Sequence, residues 1–276
     1  MKRKSKSILE TGNGKLKSAL RLDLVCSFPL TVKVALGLAA LIVINELLLH
    51  KQTIEDPGYL TSAYVPFIIG CRNFDTIAND NKLDVPMLFL LFHGIIVFGA
   101  LWYLSYISAI SEINILTRIK SRYFLWISKI IWLFLYMLLL YISVFIMSAI
   151  FMQINGAKGF LDESLSFIIE GKNADILVYA VMPLMCDYAA ALICMALSEC
   201  VNAYVGLIGE IIIFIGAIFS NKKIILARYM MVMSYISGSE DDRFDPAAGL
   251  WLCMLLILVS TAAGIFSIHY RYHNGE

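Results

Sequence analysis

Residues 112–124 read Glu112-Ile-Asn-Ile-Leu-Thr-Arg-Ile-Lys-Ser-Arg-Tyr-Phe124 and lie between two long apolar stretches, at 86–110 and 125–153. A link that only joins two membrane helices can be a short polar turn. This one carries more. Arg118, Lys120 and Arg122 bring positive charge, while Ile113, Leu116, Ile119 and Tyr123 recur at helical spacing. An apolar stripe flanked by basic residues is the pattern of a helix lying on a membrane surface. Lys129 closes the polar insert. Such a segment offers a docking surface to a partner on the side it faces.

Outward from this insert, the composition is that of an integral membrane protein. Of 276 residues, 60% are hydrophobic and 16% are charged. Soluble domains average about 45–50% apolar and about 25% charged. A spanning helix needs about 20 mostly apolar residues. Six stretches qualify, at about 30–49, 86–110, 125–153, 176–197, 201–220 and 249–269. The fold class expected is therefore all-α, with six transmembrane helices. The first stretch starts late, exceeds the usual apolar core of a signal peptide (about 7–15 residues) and lacks a small-x-small cleavage site, so it reads as a span.

Lys and Arg accumulate in cytoplasmic loops. Lys2, Arg3, Lys4, Lys6, Lys15, Lys17 and Arg21 crowd the N-terminal segment, and Arg118, Lys120, Arg122 and Lys129 the second loop. The first loop holds Glu55, Asp56, Asp75, Asp80 and Asp84, and the third Asp162, Glu163, Glu170 and Asp175. This bias predicts cytoplasmic N- and C-termini in the cell membrane. The fifth loop has both signs, and the even span count puts it outside. Two parts follow: a basic tail with an amphipathic interfacial helix over 1–29, and a six-helix transmembrane bundle over 30–276. In 15–28, Leu16, Leu20, Leu24 and Phe28 recur every four residues beside Lys15, Lys17 and Arg21, which predicts a helix in the headgroup layer. The segment 224–237 is apolar but short and holds Arg228, which predicts an external re-entrant or interfacial helix before the last span.

Inside the spans, acids are costly. A charge at mid-bilayer costs at least about 2.5 kcal/mol, so such residues face a bundle interior or cavity. Asp187 and Glu210 sit about equally far from the turn Ser198–Asn202, at roughly 15 Å depth by helical rise. They are candidates for a polar translocation route that favours cationic cargo. The opposing reading is a pair of protonated or hydrogen-bonded acids that fix packing. His93 stands alone in the second span and reads as packed or hydrogen-bonded. Trp102 and Trp126 read as interface belt residues, and Pro183 as a kink. Cys186, Cys194 and Cys253 lie in apolar runs, and Cys71 has no obvious partner, so the six cysteines read as small hydrophobes. No histidine pair has metal-ligand spacing, and neither metal nor cofactor is expected in this chain.

Catalytic signatures are missing from the sequence. Thr11-Gly12-Asn13-Gly14-Lys15 imitates part of a phosphate-binding loop, but the first glycine and the Ser or Thr after the lysine are both replaced by leucine. No His-Glu-x-x-His or Gly-x-Ser-x-Gly occurs. The chain is expected not to be an enzyme, and nucleic-acid binding has no support beyond the basic N-terminus.

Six spans, cytoplasmic termini, an amphipathic lead-in and an enlarged second loop together resemble the ABC-2 type transporter permease family. The second loop carries the match, in Glu112, Leu116, Thr117, Ser121 and Arg122, with Lys129 opening the third span. The resemblance implies that 112–122 is a cytoplasmic coupling helix, with Arg118 on its contact surface, docking on a separate ATPase subunit that binds ATP and Mg. It implies a second permease copy or a homologous permease as partner, and export of a peptide, drug or lipid. Two other classes stay open: a stand-alone immunity or sensor protein that binds an amphipathic peptide without ATP, and a passive channel. A channel needs polar residues recurring along several spans, and these are scarce.

Overall fold

The computed structural model describes residues 2–55, 65–68, 70, 86–104, 122–154, 180–219, 222–231, 233–236 and 244–273. Six helices dominate: α1 (Lys2–Glu55), α2 (Met87–Trp102), α3 (Arg122–Ile154), α4 (Met182–Cys200), α5 (Ala203–Phe219) and α6 (Pro246–His273). Single helical turns at Val65–Ile68, Leu226–Met230 and Met233–Ile236 complete the pattern. Among the described residues there is no strand. Within lipid an all-helical solution is natural, because a helix satisfies its own backbone hydrogen bonds where no water can. Gly14–Leu47, Tyr123–Phe151, Met182–Cys200 and Pro246–Tyr270 are long and apolar enough to cross a membrane, whereas Met87–Trp102 and Ala203–Phe219 are apolar but shorter.

Local chemistry sets the helix ends. Asn202 caps α5, its side-chain oxygen accepting from the Val205 N–H at 3.0 Å. Asp245 does the same for α6, accepting from the Ala247 N–H at 3.0 Å. Pro246 follows it at the first helical position, where a missing N–H costs nothing.

α4 is the hub, packing on α2, α3, α5 and α6, while α1 lies along α3. The face of α4 explains this. Ala189, Ala190, Ala191 and Cys194 are buried, and small side chains let neighbouring backbones come close. Gly206 continues the same logic on α5. A Cβ there would lie 2.6 Å from the Cys194 carbonyl oxygen and would overlap the Ser198 hydroxyl. Gly264 on α6 makes room for the Trp126 ring in the same way.

The two ends of the bundle differ. At one end, Asp23 meets Tyr103 at the close of α2 and Ser128 near the start of α3. Lys129 pairs there with Glu199 at 3.6 Å, and the Ser267 hydroxyl donates to the Glu199 carbonyl at 3.2 Å. At the opposite end, Gly249 abuts Met182 and Tyr229, so the turn Leu226–Met230 folds back against the starts of α4 and α6. Residues 226–231 are all buried there.

Two expectations change. No helix break marks the boundary near residue 29: α1 runs through Pro29, and at 54 residues it is about 80 Å long. Its packed face over 15–28 is Ala19, Asp23 and Ser27, while Leu24 and Phe28 point outward. Small and hydrogen-bonding side chains allow close approach to α2 and α3, and of the leucine stripe Leu20 still packs partly against the core. Trp126 is not a belt residue, being buried against Gly264, whereas Trp102 is half exposed.

The glycine contacts can be tested by substitution. Gly206→Ala should lower the detergent-solubilised melting temperature, because overpacking costs about 1–3 kcal/mol. Gly216→Ala, where a Cβ meets nothing within 4 Å, should leave it unchanged or slightly raised. Equal effects at both positions would refute close α4–α5 packing.

Candidate functional site

Helical periodicity brings four polar side chains from four helices into the bundle interior. Asp187 sits on the first turns of α4, His93 on α2, Tyr141 on α3 and Glu210 on α5. His93 and Asp187 are fully buried, and Glu210 is nearly so. The His93 ring nitrogen Nδ1 lies 2.9 Å from Asp187 Oδ2, and the Tyr141 hydroxyl donates to the same oxygen at 2.6 Å. With the carboxylate ionised, Nδ1–H and the tyrosine O–H both donate to it.

Aromatic rings wall this cluster. Phe89 stands 4.5 Å and Phe92 5.0 Å from the His93 ring, centroid to centroid, and Phe214 lies parallel to it at 6.2 Å. Phe214 is one turn from Glu210 on α5, so the same face of that helix supplies both ring and acid. Apolar walls lower the local dielectric, which strengthens each hydrogen bond and raises the penalty for a missing one. Asp187 Oδ1 and His93 Nε2 have no hydrogen-bond partner among the described residues. Beside the cluster, the Cys186 and Cys253 sulfurs are 3.5 Å apart as free thiols joining α4 to α6.

The chemistry available is proton exchange and recognition of positive charge. A carboxylate paired with imidazole can hold a proton on either group. The tyrosine hydroxyl is spent on the carboxylate, so this cluster is not arranged as an activated nucleophile. Among the described residues no group of three or more His, Cys, Asp or Glu is placed to hold a metal ion.

Both acids singled out by sequence therefore point inward. His93 is drawn in as the partner of Asp187, a pairing that 94 positions of separation hid from sequence. Tyr141 was missed altogether. The coupling residues Glu112, Leu116, Thr117, Arg118 and Ser121 lie outside the described residues. Arg122 begins α3, and its side chain is likewise outside them. Cys71 is outside as well.

A double-mutant cycle measures the central pair. His93→Phe and Asp187→Asn, singly and together, should show a coupling of about 0.6–1.7 kcal/mol in detergent unfolding, the range typical of interhelical hydrogen bonds in membranes. Additive effects would show that the two side chains do not interact.

No family model matches this chain, and no curated protein or solved structure is detectably similar to it.

Proposed function

We propose that the chain is the membrane subunit of an ABC exporter, working with a second permease and two ATPase subunits. One observation carries the reading. The contacts of Asp23, Tyr103, Ser128, Lys129, Glu199 and Ser267 gather the ends of α2 and α3 that flank residues 105–121, the α4–α5 turn and the end of α6 at one end of the bundle. Loop-charge bias assigns that end to the cytoplasm. A force applied to the insert would reach α1, α2 and α3 directly, and α4 to α6 through the Glu199 contacts.

In this reading all six helices span the cell membrane. The turn at Leu226–Met230 is the external re-entrant segment, at the end opposite the insert. ATP with Mg binds only in the ATPase partner. Closure of the ATPase pair presses on Glu112 through Arg122 and favours an outward-open bundle. A bound ligand shifts a bistable assembly in this way, through its differential affinity for the two states. Asp187 and Glu210 line the route that opens, and two acids in an apolar wall favour a cargo with positive charge. Peptide, drug and lipid cargoes with a cationic group all meet that requirement.

Two outcomes test the reading. In the complex purified with its ATPase, Arg118→Glu combined with Arg122→Glu should lower basal ATP hydrolysis about tenfold or more, since opposing a charge at an interface costs several kcal/mol. Unchanged hydrolysis and subunit association would sink the coupling surface and favour a stand-alone sensor. Asp187→Asn should preserve assembly and reduce export. Normal export in that variant would remove Asp187 from the route.

A further inference from the structure

Asp23 does more than pack. It lies on α1 at 4% exposure, and both carboxylate oxygens are engaged. The Tyr103 hydroxyl donates to Oδ1 at 2.9 Å and also reaches the Asp23 carbonyl at 3.2 Å. The Ser128 hydroxyl donates to Oδ2 at 2.5 Å. One turn along α1, Ser27 accepts from the Trp132 ring N–H at 2.6 Å and donates to the Leu24 carbonyl at 3.3 Å. The Trp132 ring closes the circuit by packing on Tyr103, 4.2 Å between centroids.

The positions of these partners matter. Tyr103 stands just before residue 105, at the C-terminal end of α2, and Ser128 and Trp132 stand in the first turns of α3. One carboxylate therefore bridges the helices that enter and leave the basic insert. An ionised carboxylate only accepts hydrogen bonds, so it suits two hydroxyl donors at once, whereas an amide offers one accepting oxygen. A buried acid that misses its partners costs several kcal/mol, which makes the bridge all-or-none.

We infer that Asp23 is a positioning residue that pins α1 to both borders of the 105–121 segment and so sets how that segment is presented to its partner. The part about presentation rests on the permease reading; the pin itself does not. The N-terminal helix then belongs to the coupling apparatus, and a shift of the insert cannot occur without moving α1.

Hydrogen–deuterium exchange on the full chain in lipid nanodiscs tests the pin without any partner. Asp23→Ala and Ser128→Ala should each speed exchange in the helix ends 98–104 and 122–130 about tenfold or more, the loss expected for a hydrogen bond to a charged group, with 186–196 unchanged. Ser128→Thr, which keeps the hydroxyl, should exchange as the wild type does. Unchanged exchange at both helix ends would overturn the inference. So would a rise spread equally over these ends and 186–196, which is the mark of general destabilisation. In the ATPase complex, Asp23→Ala should also lower the ATPase retained per permease, while Ser128→Thr retains it. If the wild-type chain holds no ATPase, the permease reading fails, and the exchange result still decides whether Asp23 pins the borders.

Discussion

The bundle is organised around a carboxylate that cannot reach water. Asp187 is fully buried among alanines and aromatic rings, where an unpaired charge would cost several kcal/mol. His93 and Tyr141 answer that cost from two other helices, at 2.9 and 2.6 Å. Their hydrogen bonds fix the rotation of α2, α3 and α4 about their own axes, because a turn of any one helix would break the contact. Non-directional apolar packing supplies no such register within lipid, where the tails are as apolar as leucine. Glu210 on α5 is also turned into the bundle interior.

Another buried acid plays the corresponding part at the other level of the bundle. Asp23 binds α1 to α2 and α3 through hydroxyl donors, and the Lys129–Glu199 pair links α3 to the α4–α5 hairpin. The molecule thus has a polar centre and a polar end, joined by apolar helices. In the proposed exporter the end receives force and the centre meets the cargo. Tight glycine contacts, at Gly206 with Ser198 and at Gly264 with Trp126, make the helices between them stiff connections rather than loose ones.

Much of the architecture is legible in the sequence, because length and hydropathy of a membrane helix are local properties. Each of the six apolar stretches contains a helix, and the acids Asp187 and Glu210 turn inward as mid-bilayer cost requires. What escaped reading depends on contacts between distant positions. His93 reads in sequence as packed or hydrogen-bonded, and only the fold names Asp187 as its partner. The Leu16, Leu20, Leu24 and Phe28 stripe was legible as an apolar face, but the packed face of Ala19, Asp23 and Ser27 was not. Spacing reports periodicity but not which face a neighbour takes, and Asp23, the lone acid of the basic 15–28 stretch, was the available signal. Trp126 was misassigned for a similar reason, since its partner Gly264 is 138 residues away.

The central claim is that this chain converts work done by a separate ATPase. The direct measurement is ATP hydrolysis and subunit composition of the tagged chain purified from its native membranes into nanodiscs. The account predicts vanadate-sensitive hydrolysis and a second protein, bearing a phosphate-binding loop, in equal number to the permease subunits. A chain that purifies without such a protein, and without hydrolysis, would contradict it.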